Sequence, residues 1–226
     1  MSGESARRKG LYSPSGRPRL ENLALTSPNT RGTRAQLQRI RAKAFRPLAI
    51  ELGWLVYEWN RLHEALATLF GDVVSSTKDK SIPYAIWHST PNDRTQREML
   101  KAAAAAATTA TPQTKSDIAW LLSELYRLAG RRNAAIHSPL IFANEMTEVE
   151  IIPWAFFGNP RAAELKDKPL LDEFKWYRDH LARLAWFAEG LHLALSVGLP
   201  WPERPQLPSH DQFRKLGTKS RKSRSR

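Results

Sequence analysis

The chain contains no cysteine, so it has no disulfide scaffold, no zinc–thiolate site and no thiol nucleophile. No run of about 18 apolar residues is present to span a bilayer. The opening residues, MSGESARRKGLYSPSGRPRL, lack the apolar middle of a secretory signal. Together these absences predict a soluble, cytoplasmic protein with no membrane partner. Glycine-rich phosphate loops and Gly-x-Ser-x-Gly elbows are also missing. The facing Glu-x-x-His pairs of a di-metal carboxylate bundle reduce to one, Glu189 with His192. One pair is too few, so neither a metal nor another cofactor is expected.

What the chain does have is positive charge at its ends. Its 226 residues carry 35 Lys+Arg against 22 Asp+Glu, a formal net of +13. Residues 1–46 hold 11 basic and 2 acidic residues, and residues 203–226 hold 8 and 2. The body between them, with 16 against 18, is nearly neutral. All 8 Trp lie within 47–202, a length able to bury roughly 68–70% of its unfolded surface around one core. Three regions are therefore expected: a disordered basic arm over 1–32, a helical domain over 33–198, and a Pro-rich then basic disordered tail over 199–226. Tails of this charge bind RNA non-specifically with a steep salt dependence. Aromatics are scarce in them, Tyr12 and Phe213 being among the few, which argues against base stacking.

The body reads as helices. A short helical stretch is predicted over 33–43, and Pro47 suits the first turn of a longer helix. Leu48, Leu52, Leu55, Trp59, Leu62, Leu66 and Leu69 recur at steps of 4 and 3, an apolar stripe on one face, with Gly71 as the end signal. A loop containing Pro83 should follow. Thr90-Pro91 offers an N-cap and first helical residue for a second helix, which runs through the close-packing alanines 102–107 and stops before Pro112. Ser116 can cap a third, with Asp117 in its first turn and Ile118, Leu121, Leu125, Leu128 and Ile136 inward. Ser138-Pro139 should stop it near His137, and Gly130 suggests a close backbone approach.

Beyond it the period shifts. Val149 and Ile151 alternate with Glu148 and Glu150, giving a hairpin with Leu140–Phe142 as first strand and a turn over 143–147. Asn159-Pro160 caps a short helical turn. The last long helix begins near Lys168-Pro169, with Phe174, Tyr177, Leu181, Leu184, Ala188, Leu191 and Leu195 inward, and Gly198 closes it. The expected fold is all-α: an antiparallel four-helix bundle with a small β-hairpin, about 140–155, after the third long helix.

His63, His180 and His192 are single histidines on amphipathic helices and read as packed or surface imidazoles. The segment Gly130-Arg131-Arg132-Asn133-Ala134-Ala135-Ile136-His137 differs. At about 100° per residue, Asn133 and His137 share one helical face within about 40°. Arg132 lies about 140° away, with a side chain long enough to reach round the helix end. A helix C-terminus favours a cation, and histidine is the side chain that both takes and gives a proton near neutrality. Arginine brings a permanent charge and a forked set of donors suited to phosphate.

An Arg, a polar residue, three further residues and a His near the end of the third bundle helix resemble the signature of the HEPN domain superfamily. The register is placed on Arg132 rather than Arg131 because Asn133 follows it directly. The resemblance extends over roughly residues 47–198 and implies a metal-independent endoribonuclease, commonly a homodimer with two motifs facing across a composite cleft. By that resemblance, His137 would be general acid or base, Arg132 would hold the scissile phosphate and Asn133 would position either group. The product end would be a 2′,3′-cyclic phosphate. Glu58 and Asn60 on the first long helix, with Arg131, are candidates for a supporting role, although Glu58, Asn60, Arg61 and Glu64 also have the spacing of a solvated face. Many members are toxins or phage-defence components held by an antitoxin protein, and others only bind nucleotides, RNA or proteins. A non-catalytic RNA- or protein-binding module is therefore the competing expectation.

Overall fold

In the computed structural model the described residues are 30–75, 77, 79–143, 149–155 and 158–209, with side chains from Arg34 onward. Contacts divide the chain into two units, Met1–Arg39 and Ile40–Arg226. The described part of the first, residues 30–39, is the opening of helix α1. The core and the sites below belong to the second. The elements are α1 (Thr30–Val74), α2 (Ser81–Ser89), α3 (Asp93–Ala106), α4 (Pro112–His137), β1 (Leu140–Ala143), β2 (Glu150–Pro153), α5 (Pro160–Leu165) and α6 (Leu170–Val197). The fold is mostly helical with one two-stranded antiparallel hairpin.

Pro47 does not open a helix; it lies inside α1. Its missing N–H leaves the Lys43 carbonyl without an intrahelical donor, and both residues are on the exposed side, where water can serve that carbonyl. Just upstream, Phe45 packs edge-on against Phe142 of β1 at 6.4 Å, which holds the turn before the proline. The apolar stripe behaves as expected downstream. Leu55, Leu62, Leu66 and Leu69 are fully buried, and Leu48 and Trp59 nearly so.

The predicted loop around Pro83 contains α2 instead. Pro83 is the third residue of that helix, in the first turn, where a backbone N–H has no intrahelical acceptor to lose. α2 folds back along α1. Lys80 faces Asp72 at 3.8 Å, Phe70 packs on Trp87 at 5.6 Å, and His88 approaches Glu64 at 3.9 Å. Gly71 is therefore not a helix stop but a packing site, because a Cβ there would meet Tyr84 at 3.0 Å.

This extra reversal changes the helix directions. Tyr126 with Glu98, and Lys115 with the Ala105 carbonyl, make α3 and α4 antiparallel. Trp120 with Phe187, and Arg131 with Trp176, do the same for α4 and α6. The pairs Glu51–Arg178, Arg61–Glu189 and Asp72–His192, each at 2.7 Å, occur in the same order along α1 and α6. Those two helices run parallel, where an up-down-up-down bundle of four would make them antiparallel.

Helix starts also moved. α3 begins at Asp93, capped by Asn92, whose Oδ1 accepts from the Thr95 N–H at 2.7 Å. α4 begins at Pro112, capped by Thr111, whose Oγ1 accepts from the Thr114 N–H. Of the alanine run, Ala104 is buried and Ala103 partly so, while most of the rest is exposed. Ser116 and Asp117, released from capping, anchor the segment after α6. Asp117 is buried and accepts from Trp201 Nε1 at 2.8 Å and Arg204 Nε at 2.5 Å, and Arg204 also donates to Ser116 Oγ. Residues 199–209 thus form a strap packed on α4 and α6 rather than the start of a loose tail; Pro202 would block a Cβ on Gly190 at 3.0 Å. Asp117→Ala removes both acceptor positions and is expected to cost about 2–3 kcal/mol in a denaturant melt.

α4 ends at His137, and α6 ends on Gly198 in the left-handed conformation, φ 71°, as their terminators predict. β1 and β2 pair Leu140 with Pro153 through Ala143 with Glu150; the turn expected over 143–147 lies mostly outside the described residues, as do the basic stretches 1–29 and 210–226. Gly130 has no atom within 4 Å of a built Cβ, so no close approach explains it. Gly130→Ala should therefore stabilise the helix by about 0.5–1 kcal/mol, read as a higher denaturation midpoint at unchanged slope.

Candidate functional site

The last two turns of α4 send consecutive arginines to opposite sides. Arg131 turns to α6 and lies 4.9 Å from the Trp176 ring. Arg132 turns to α1, its guanidinium 5.0 Å from the ring of Trp59. Arg132 is half-buried, and one of its terminal nitrogens donates to Asn133 Oδ1 at 2.9 Å. Its Nε is buried without a hydrogen-bond partner among the described residues. Burial pulls its pKa below the ordinary guanidinium range, the Asp93 carboxylate opposing and the Arg97 guanidinium adding to the effect.

Arg97 on α3 is the second cation here, and only 3% of it is exposed. Its guanidinium sits 5.7 Å from the Trp59 ring and 5.2 Å from that of Tyr126. It reaches Asp93 at 3.5 Å and His63 Nε2 at 3.4 Å. A guanidinium only donates, so Nε2 of His63 is the acceptor and its ring proton belongs on Nδ1. Burial, followed by the neighbouring Arg97 charge, pushes His63 down to about 4, and the imidazole is neutral at pH 7. Its ring centroid lies 4.9 Å from that of Trp59.

The result is two guanidiniums and a neutral imidazole arranged around one tryptophan, with Asp93 as the carboxylate that faces them. Each guanidinium keeps a buried Nε without a partner among the described residues. Forked donors beside an aromatic face, with more positive than negative charge, suit a phosphate better than a further carboxylate of the chain.

His137 is exposed on the final turn, and its side chain makes no hydrogen bond or ion pair among the described residues. Ser138 leaves the helix in an extended conformation, its N–H on the Ala134 carbonyl at 3.1 Å. Arg132 and His137 are not bonded to each other. Five positions separate them, about 140° of rotation and about 7.5 Å of rise. Asn133 therefore orients Arg132 and not the imidazole.

The supporting candidates on α1 are placed elsewhere. Glu58 is buried and pairs with Arg61 at 3.3 Å, and Arg61 in turn holds Glu189 of α6 and covers the Trp186 ring at 4.2 Å. Asn60 is exposed. The α1 residues that reach Arg132's surroundings are Trp59 and His63. Arg97 carried a signal that the sequence reading missed: Arg97, Leu100 and Ala104 share the buried face of α3, so a cation stands in an apolar stripe.

No protein-family model, curated protein or solved structure matches the chain. No helix among the described residues is long and apolar enough to cross a membrane. No group of three His, Asp or Glu residues among them is placed to hold a metal ion.

Proposed function

We propose that the chain is a metal-independent endoribonuclease of the HEPN kind, with α1, α3, α4 and α6 as its four bundle helices. The observation that carries this reading is the imidazole of His137, exposed and without a hydrogen-bond or ion-pair partner among the described residues, on the last turn of the helix whose previous turn supplies Arg132. RNA provides its own nucleophile. The ribose 2′-oxygen forms a bond to phosphorus while the bond from phosphorus to the 5′-oxygen breaks, leaving a 2′,3′-cyclic phosphate and a 5′-hydroxyl. The 2′-proton passes to one His137 imidazole, and a second, protonated His137 from another copy of the chain gives a proton to the 5′-oxygen. Arg132, held by Asn133, stabilises the charge that grows on the phosphoryl oxygens.

Two copies are needed for two imidazoles. Ile50, Trp54 and Tyr57 form an exposed apolar row on α1, a feature that supports pairing. The basic ends attract RNA in the cytoplasm, and an antitoxin protein covering the motif would silence it. A second reading, a non-catalytic RNA- or protein-binding module, is favoured by the Arg132 geometry: the guanidinium is turned onto Trp59 and tied to Asn133 without a bond to His137.

One assay separates them. The full chain, in EDTA, is incubated with end-labelled single-stranded RNA and with DNA of the same sequence. Cleavage of RNA alone, leaving cyclic phosphate ends, supports the nuclease. Retarded but intact RNA supports the binding module in its RNA-binding form, and neither binding nor cleavage overturns the nuclease and that form together.

A further inference from the structure

On the side of α4 away from Arg132, a cleft of about 440 Å³ opens between α4, α6 and the strap. Glu124, Arg127 and Arg131 line it from α4, Trp176 and His180 from α6, and Pro205, Leu207 and Pro208 from the strap. Ligand pockets for small molecules start at about 300 Å³.

His180 makes this cleft more than a packing gap. It is 95% buried, with 5% of its surface exposed, yet neither ring nitrogen has a hydrogen-bond partner among the described residues. Glu124 Oε2 stands 3.9 Å from Nε2, too far for a hydrogen bond. A polar ring buried without partners is destabilising, because each unmet group has given up its bond to water. Burial and the charges of Arg127, Arg131 and Arg183 push His180 down to about 4, so at neutral pH it offers one donor and one acceptor.

The charges around it do not balance. Arg127 is paired with Glu124 at 2.8 Å. Arg131 meets the Trp176 ring and no carboxylate among the described residues. Arg183 donates to the Gln206 carbonyl, which is uncharged. Two guanidiniums of the lining stand against one carboxylate, and Arg183, outside the lining, adds a third cation to the field at His180, an excess of positive charge that an anionic phosphate monoester would neutralise.

We propose that this cleft is a binding site for a small phosphate monoester, its phosphate against Arg131 and Arg127 and its hydrogen-bonding body against His180. Inorganic phosphate matches the charge but leaves His180 without a body to read. An ester whose body carries hydroxyls or ring N–H groups satisfies both. The site is independent of the Arg132–His137 motif and does not rest on the nuclease reading.

The test is calorimetric titration of the full chain with three probes: inorganic phosphate, ribose 5-phosphate and adenosine 5′-monophosphate. At least one ester is expected to bind saturably below about 1 mM and more tightly than inorganic phosphate. The two esters differ in whether a flat ring is preferred. Arg131→Gln should weaken that binding about tenfold or more, the loss of charge-assisted bonds to phosphate. Arg127→Gln is the second variant, should the first fail to fold. Lys101→Gln, an exposed α3 residue outside the cleft lining, should leave ester binding unchanged. The inference is overturned by no saturable binding of either ester up to about 1 mM, by inorganic phosphate binding as tightly as the esters, or by both cleft variants binding the ester as tightly as the unaltered chain.

Discussion

Replacing His137 with alanine is expected to reduce RNA cleavage in EDTA by about 10² to 10⁴-fold, the range for removing a positioned acid–base group. The same substitution should leave the fold intact. The side chain is exposed and makes no hydrogen bond or ion pair among the described residues, and surface changes of that kind shift stability by less than about 0.5 kcal/mol. That combination makes the variant informative, because a loss of activity cannot be assigned to unfolding once the melting curve is shown to be unchanged. The check is the rate of appearance of cyclic phosphate ends, followed by RNA binding in a gel. Retained cleavage removes His137 from the mechanism. Arg132 needs a gentler substitution because it packs on Trp59 and contributes to the core as well as to any phosphate. Arg132→Lys keeps the charge and loses the fork, so it should lower cleavage while RNA affinity, set largely by total charge, changes little.

Acid should unfold this protein through His63. Its folded pKa is depressed to about 4, whereas an unfolded histidine titrates near pH 6.5. The unfolded chain therefore binds more protons as pH falls below about 6.5, so the stabilisation is complete above that pH and is lost on acidification toward pH 4. A shift of this size corresponds to about 3 kcal/mol. His180, also depressed to about 4, acts in the same direction. Urea titrations from pH 7.5 to pH 4 measure the slope, and carboxylates contribute mainly at its lower end. His63→Gln keeps an acceptor for Arg97 and removes the titration, so it should flatten the curve between pH 6.5 and 5. An unchanged slope in that variant would mean that His63 is hydrated in solution and the Arg97–His63 contact is not maintained.

Both effects come from how α1, α3 and α4 meet. Trp59 offers the guanidiniums of Arg97 and Arg132 an aromatic surface, and burial, helped by the Arg97 charge, holds His63 neutral. A like-charged pair this close is destabilising unless an anion shares it, and Asp93, at 3.5 Å from Arg97, supplies one charge against two. In the proposed nuclease, an RNA phosphate would supply the next. Arg132 is the half-buried member, and it is the one that such a ligand would reach first.

Local chemistry alone was enough to determine much of this protein. Apolar spacing placed the cores of α1, α4 and α6, Ser138-Pro139 ended α4 at His137, and the alternation about Ile151 marked the hairpin. Such signals act within a few residues, through backbone sterics and the burial of one face. At proline the same signals mislead. Pro83 concealed α2, and Pro47 suggested a start inside a continuous helix. Only the packed molecule decided the rest. One additional reversal set α1 parallel to α6, residues 199–209 closed on Asp117, and neighbouring arginines at 131 and 132 were sent to different chemistry. Those outcomes depend on which faces meet across the chain, and no single segment carries that information.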